Sequence, residues 1–222
     1  MRQDGSNATQ ITNLAGHSRL PRWSPDGDRI AFDSRVSDTD GDIYVVGSRG
    51  GSLRRITSDP ADDVRPSWSP DGKWIYFRSD RGGSRQIWKT PSEGGAASQV
   101  TRDGADEAFL SPDELRLYFL KSAQGVWTMP IDDRGSARPM PGLESVPLNS
   151  WAIADSGIYF IDLSGRINLF HFVTGKTSVV GEATGPIARE APCLSATRDG
   201  RTILWTQTDH ADSDLVLLEH FR

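Results

Sequence analysis

The sequence predicts an all-β chain made of five copies of one small four-stranded unit, and three observations carry that prediction. A motif recurs: PRWSPDGDRIAFDS from Pro21 and PSWSPDGKWIYFRS from Pro66 agree at Pro, Trp, Ser-Pro-Asp-Gly, Ile, Phe and Ser, with Ser24 and Ser69 45 residues apart. Apolar residues fall in short runs rich in Ile, Val, Tyr, Trp and Phe, bounded by Gly, Pro and Asp, which is the pattern of strands. No long stretch holds the helical period, so helix is not expected.

The repeat continues beyond its two clearest copies. AFLSPDELRLYFLKS places Ser111 42 residues after Ser69. WAIADSGIYFID and LSATRDGRTILWTQ are weaker copies, with Tyr159 41 residues after Tyr118 and Leu204 45 after Tyr159. Units of approximately 13–57, 58–101, 102–142, 143–181 and 182–222 therefore fill the chain as a single domain.

Each piece of a unit has a physical reason. Ser-Pro-Asp-Gly suits a type I turn: serine opens it, proline presets φ, aspartate bonds the local backbone, and glycine takes the last place, where φ is often positive. A run such as KWIYF then completes a hairpin. In the third unit Glu114 stands for that glycine, at a cost of about 1 kcal/mol in a left-handed backbone, and a different turn shape would be one way out. A polar turn follows (DTDGD, DRGGSR, AQG, LSG, HADSD), then a third strand (IYVV, IWKT, VWTM, INLF, LVLL). A Gly-rich turn and a fourth segment, LRRIT or ASQVT, close the clearest units.

Four short antiparallel strands repeated every 40 to 45 residues are the signature of a β-propeller. One small sheet cannot cover both of its faces, so the sheets must stack around an axis. Trp23, Trp68, Trp88, Trp127 and Trp205 are accordingly assigned to packing between them.

The string P-x-W-S-P-D-G, then I-x-F-x-S, a turn, I-Y or I-W, a Gly-containing turn and a closing I-T or V-T resembles the TolB-type, WD-repeat-like propeller repeat of bacteria. The ending SDLVLLEHFR is similar to that of propellers forming the rear half of larger bacterial regulators, behind a winged-helix or kinase domain. The resemblance implies a sensory or scaffolding propeller and an extracytoplasmic, periplasmic setting.

The first twelve residues, MRQDGSNATQIT, align without a gap on VGSRGGSLRRIT and TPSEGGAASQVT, the tails of the first two units. The last unit lacks an outer strand, whereas residues 8–12 look like an orphan one. Two arrangements follow: a propeller of five four-stranded blades closed by the N-terminal strand, or an arc truncated from a larger propeller. The degenerate last two units favour the arc.

Composition narrows the chemistry. With 25 basic and 30 acidic residues the net charge is −5, and no basic block offers a footprint for a phosphate backbone, so no direct nucleic-acid partner is expected. No apolar run approaches a membrane helix, and no signal-peptide pattern opens the chain, so no membrane insertion and no export address are expected of it. One cysteine, Cys193, excludes an intrachain disulfide and is read as a small core side chain. The hydrolase elbow G-x-S-x-G is absent. His17, His171, His210 and His220 are not spaced as ligands. The cluster Asp38–Asp42 has its glycine at the fourth position and no later glutamate, so the EF-hand pattern fails, and a hairpin turn is the better assignment. No cofactor, metal or catalytic residue is expected.

The remaining candidates lie in links from one unit's outer strand to the next unit's inner strand, which surround one mouth of a propeller's channel. NLAGHSRLP, SDPADDVRP and GADEAF place His17, Arg19, Asp62, Asp63, Arg65, Asp106 and Glu107 there. The expected function is a non-catalytic scaffold presenting this mouth to a protein or peptide partner. The alternative is a small-ligand binder or enzyme of the lyase or glycosidase kind, which needs carboxylates or histidines on the inner strands. RWS, SWS, FLS, AIA and LSA supply none.

Overall fold

A hydroxyl and a carboxylate start the first hairpin of four of the five sheets. In the computed structural model, which describes residues 9–35, 40–122, 124–133, 135–187, 193–209 and 212–219, Ser24 Oγ donates to Asp26 at 2.5 Å and accepts the Arg29 N–H at 2.9 Å. Asp26 also accepts the Asp28 N–H at 3.0 Å. The same bonds recur around Ser69 and Asp71, around Ser111 and Asp113, and, with threonine for serine, around Thr197 and Asp199. Asp71, bonded in its ionised form by the Ser69 hydroxyl and the Lys73 N–H, is drawn down to about 2.

Glu114 sits at φ 61°, where Gly27 and Gly72 have 75° and 70°. All the bonds of the turn form around it, so its shape does not change and the strain stays in the backbone. Glu114→Gly is expected to raise stability by up to about 1 kcal/mol, read as a higher urea midpoint at unchanged slope.

The hairpins extend into five antiparallel sheets. β1 (His17–Trp23), β2 (Arg29–Arg35), β3 (Asp42–Gly47) and β4 (Arg54–Arg55) form the first in that order, and β5 (Val64–Trp68), β6 (Trp74–Ser79), β7 (Gln86–Pro91) and β8 (Ser98–Gln99) the second. The third holds β9 (Glu107–Leu110), β10 (Arg116–Lys121), β11 (Gly125–Pro130) and β12 (Arg138–Pro139); the fourth holds β13 (Trp151–Ala154), β14 (Gly157–Ile161), β15 (Arg166–His171) and β16 (Thr177–Glu182). The fifth has three strands, β17 (Leu194–Ala196), β18 (Thr202–Asp209) and β19 (Asp212–Glu219). Among the described residues there is no α-helix.

The closing threonine of a unit follows its outer strand. Thr57 and Thr101 each accept, through the hydroxyl, the N–H of Ile43 or Ile87 at 3.0 and 2.9 Å. Thr101 then donates to Gln86 at 2.8 Å. A buried N–H that the two-residue outer strand leaves over is thereby satisfied.

Packing follows the two-residue period of each strand. Ala31, Ile43 and Val45 of the first sheet meet Trp68, Ile75 and Phe77 of the second. Tyr76 and Ile87 meet Leu117 and Phe119 of the third, whose Tyr118 and Leu120 meet Ile158 and Phe160 of the fourth. Tyr159 and Ile161 meet Ile203 and Trp205 of the fifth. Even residues of a strand thus face one neighbour and odd residues the other. Trp68, Trp88, Trp127 and Trp205 all belong to these seams, as expected, but Trp23 does not: it is 61% exposed.

The fold is an all-β propeller, with one correction. Four sheets have four strands and the fifth has three, so five four-stranded blades are not what forms among the described residues. Ala8 lies outside those residues, and among the described residues Thr9–Thr12 is not a strand of any of the five sheets. The physical reason is in Ile11, which packs with Leu14 on Ile30, Phe32, Tyr44 and Val46, the outward face of the first sheet. Ile56, Val100, Met140 and Val180 of successive outer segments each lean on the following sheet in the same way.

Candidate functional site

The first strands of all five sheets line one cavity of about 720 Å³. Its wall is formed by Trp23, Trp68, Phe109, Leu110, Ile153, Leu204 and Trp205, with Pro25, Pro70 and Pro112 of the hairpin turns at one end. Two arginines reach into it, and both are bonded. Arg198 donates to Asp155 at 3.1 Å and to the Pro112 carbonyl at 3.3 Å. Among the described residues no Asp, Glu, His or Cys is part of this wall.

Arg22 is the other arginine, and it crosses from the first sheet to the third. Its Nη2 donates to Glu107 Oε1 at 3.1 Å, and its guanidinium lies 5.0 Å from the centre of the Phe109 ring. Glu107 is 3% exposed, and its Oε2 accepts Trp151 Nε1–H at 2.8 Å and the Asn149 N–H at 3.2 Å. The Asn149 carbonyl in turn accepts the Cys193 N–H at 2.9 Å and its thiol at 3.2 Å. Cys193 Sγ also lies 2.9 Å from Ser150 Oγ. One polar chain therefore runs through the first, third and fourth sheets to the approach of the fifth.

Sequence reasoning held that the inner strands carry no carboxylate, and this is overturned. Glu107 opens β9 and is buried, because two N–H donors and a guanidinium converge there. Arg22 was missed. The signal was available: in the repeat it stands where the second and third units have Ser67 and Phe109.

The other candidates stay near the opposite end, where the links enter. His17 and Arg19 are exposed and lie in β1 itself. Asp62 accepts from Arg35 and Arg78, each at 2.6 Å, and from the Gly41 N–H at 3.2 Å. Asp63 is fully buried and takes Arg81 at 2.6 Å; burial pushes its carboxyl up, against the Ser79 hydroxyl and Arg81. Asp106 accepts the N–H and hydroxyl of Ser122 at 3.0 and 2.5 Å. Asp63 and Asp106 thus hold hairpin turns of their own sheets. Arg65 has φ 59°, and its N–H donates to Asp33 at 3.1 Å. Asp33, which sequence reasoning passed over, is 1% exposed; burial pushes it up to about 6, partly offset by the Arg65 N–H and by the charges of Arg65, Arg35 and Arg19.

Asp38 and Thr39 of the acidic turn lie outside the described residues. Asp42 is tied to Arg55 at 2.6 Å and starts β3. No group of three or more potential metal-binding side chains occurs among the described residues.

Comparison with known proteins agrees with this architecture. The family model described as PD40, TolB beta propeller domain, matches residues 3–140. An uncharacterized protein of Agrobacterium fabrum is 32% identical over 112 residues, which are 50% of this chain and 38% of that protein. The Tol-Pal system protein TolB of Bordetella pertussis is 43% identical over 56 residues, 25% of this chain and 13% of that one. Among solved structures, TolB from Acinetobacter baumannii superimposes with a TM-score of 0.79 at 18% identity, covering 98% of this chain and 55% of that one. The chain spans well under two thirds of the length of each of these relatives.

Proposed function

Because the chain belongs to the TolB beta propeller family, we propose that it serves as a non-catalytic scaffold that binds a protein or peptide partner at its channel. The parent would be a larger bacterial regulatory or envelope protein, of which this propeller is the sensory or interaction part. One observation carries the reading. Trp23 is 61% exposed in a cavity whose arginines are already bonded and whose wall holds no acid, base or thiol. A rigid aromatic surface of that kind binds side chains well. Acid–base catalysis would need a carboxylate with spare capacity beside bound substrate, and Glu107 is committed to three donors.

Selection of short peptides from a display library against the full chain tests this. The selected peptides are expected to bind wild type and to lose at least about tenfold on Trp23→Ala, since a buried aromatic anchor contributes upward of 1.4 kcal/mol. Leu163→Ala, at a 78% exposed position outside the cavity wall, leaves binding unchanged. Equal binding to all three proteins would overturn the reading, as would reproducible ester, glycoside or peptide turnover abolished by Glu107→Gln.

A further inference from the structure

The chemistry of the cavity wall narrows what a partner can present to it. Aromatic rings come from four of the five sheets: Trp23 of the first, Trp68 of the second, Phe109 of the third and Trp205 of the fifth. The volume, about 720 Å³, lies within the range of about 300–1,000 Å³ usual for ligand pockets.

The polar side chains of the wall are Arg22, Arg198 and the hydroxyls of Ser67, Ser195 and Thr206. A guanidinium donates from several N–H groups and accepts nothing. Among the described residues Glu107 is the one acceptor that the Arg22 guanidinium meets, through Nη2. The Arg22 side chain is 14% exposed where it borders the cavity, so it has donors left for an occupant. The Ser67 hydroxyl is spent on the Ala108 carbonyl at 2.7 Å. Charge selects neither sign. Glu107 and Asp155 neutralise the two arginines from outside the wall, so an anion finds no uncompensated cation and a cation finds no carboxylate beside it.

What fits is a neutral chain that lies against aromatic rings, offers carbonyl acceptors and brings few N–H groups that would lose water without gaining a strong acceptor. Proline meets all of these demands. Its ring is apolar, its carbonyl accepts, and it has no N–H. A run of prolines also holds the extended polyproline form without internal hydrogen bonds, so its carbonyls stay available and little ordering entropy is lost on binding. Aromatic-lined grooves recognise such segments by this means.

We propose that the cavity takes a proline-rich segment of the partner protein, with proline rings against Trp23 and a carbonyl accepting from Arg22. The proposal rests on the scaffold reading and names the chemistry of its partner.

Acetylated and amidated hexaproline, titrated into the full 15N-labelled chain, tests this through the indole and arginine N–H resonances. Hexapeptides of alternating Ala and Gln, and of alternating Phe and Gln, blocked at both ends, serve as comparisons. The expected result is a saturable shift at Trp23 and Arg22, with none at Trp127 or Arg54, which lie outside the wall. Hexaproline should bind at least about tenfold more tightly than the Ala peptide, as an anchored segment does over an unanchored one. Trp23→Ala, at an exposed position, lowers its affinity by about tenfold. Arg22→Lys keeps a cation beside Glu107 but loses the planar fork, and lowers it by about tenfold.

Hexaproline that fails to shift Trp23, or that shifts Trp127 equally, would overturn the proposal, as would tighter binding of the Phe peptide. Undiminished binding to Arg22→Lys would overturn the part given to Arg22. In each case display-selected peptides that still require Trp23 leave the scaffold reading standing, and peptides indifferent to Trp23 sink that reading by its own test.

Discussion

Glu107→Ala is expected to cost about 3–5 kcal/mol of folding stability, the loss typical when one partner of a buried ion pair is removed. Three donors lose their acceptor at once: the Arg22 guanidinium, the Trp151 indole and the Asn149 N–H. The indole and the amide cannot turn to bulk water easily, since Trp151 is fully buried and Asn149 is 6% exposed, whereas Arg22 borders the cavity. Against the 5–15 kcal/mol that typically holds a domain together, the loss is large. Glu107→Gln keeps an acceptor for one or two of these donors and gives up the charge, so about 1–3 kcal/mol is expected. Urea unfolding followed by tryptophan fluorescence measures both. A Glu107→Ala midpoint within 1 kcal/mol of wild type would mean that water already satisfies the three donors.

The second large effect concerns pH. Asp33 titrates near 6 in the folded chain because burial opposes its charge. In the unfolded chain a carboxyl of this kind titrates near its ordinary value of about 4. Between those values the unfolded chain gives up a proton that the folded chain keeps, so stability falls as pH rises from about 4 to about 6. Below that window Asp33 is protonated in both states and contributes nothing. Above it the folded state carries a penalty of about 3 kcal/mol, at 1.4 kcal/mol for each unit. Asp33→Asn removes the penalty while keeping an acceptor for the Arg65 N–H. The variant is therefore expected to exceed wild type in stability at pH 8 and to match it closely at pH 4, measured by urea unfolding at both. Equal destabilisation at both values would show that the charges of Arg19, Arg35 and Arg65 cancel the effect of burial, whereas greater destabilisation at pH 8 would show that they outweigh it.

The two effects mark where sequence reasoning succeeds and where it stops. Turn chemistry is local, so Ser24, Pro25, Asp26 and Gly27 announce a hairpin wherever they stand together. The two-residue alternation of Ile75, Tyr76 and Phe77 likewise announces which faces are covered. Stacking then follows, since each covered face requires a neighbour. What the axis contains is not local. Arg22 and Glu107 are 85 residues apart, and only the stacking of several sheets about one centre brings them within 3.1 Å. Trp23 and Trp68 occupy the same place in their units, yet Trp68 donates to the Arg22 carbonyl at 2.9 Å and is covered, while Trp23 stands open. The difference lies in what packs on each sheet, which the repeat itself does not encode.

The mouth residues were only half legible for a related reason. Acid and base in the links predict a charged rim, but not which charges neutralise one another. Asp63 and Asp106 hold hairpin turns, whereas Asp33, buried in a strand, is pushed up by burial to about 6.

A polar chain passes from Arg22 through Glu107 and Asn149 to Cys193, and the only cysteine of the protein reports on it directly. The rate at which a disulfide reagent modifies Cys193 should be measured under native conditions in wild type and in Glu107→Ala. Cys193 is fully buried, so modification requires opening. The predicted result is slow labelling in wild type and acceleration of at least about a hundredfold in Glu107→Ala, as a loss of 3 kcal/mol implies. Labelling at the same rate in both proteins would contradict the claim that this chain ties the sheets together around their common centre.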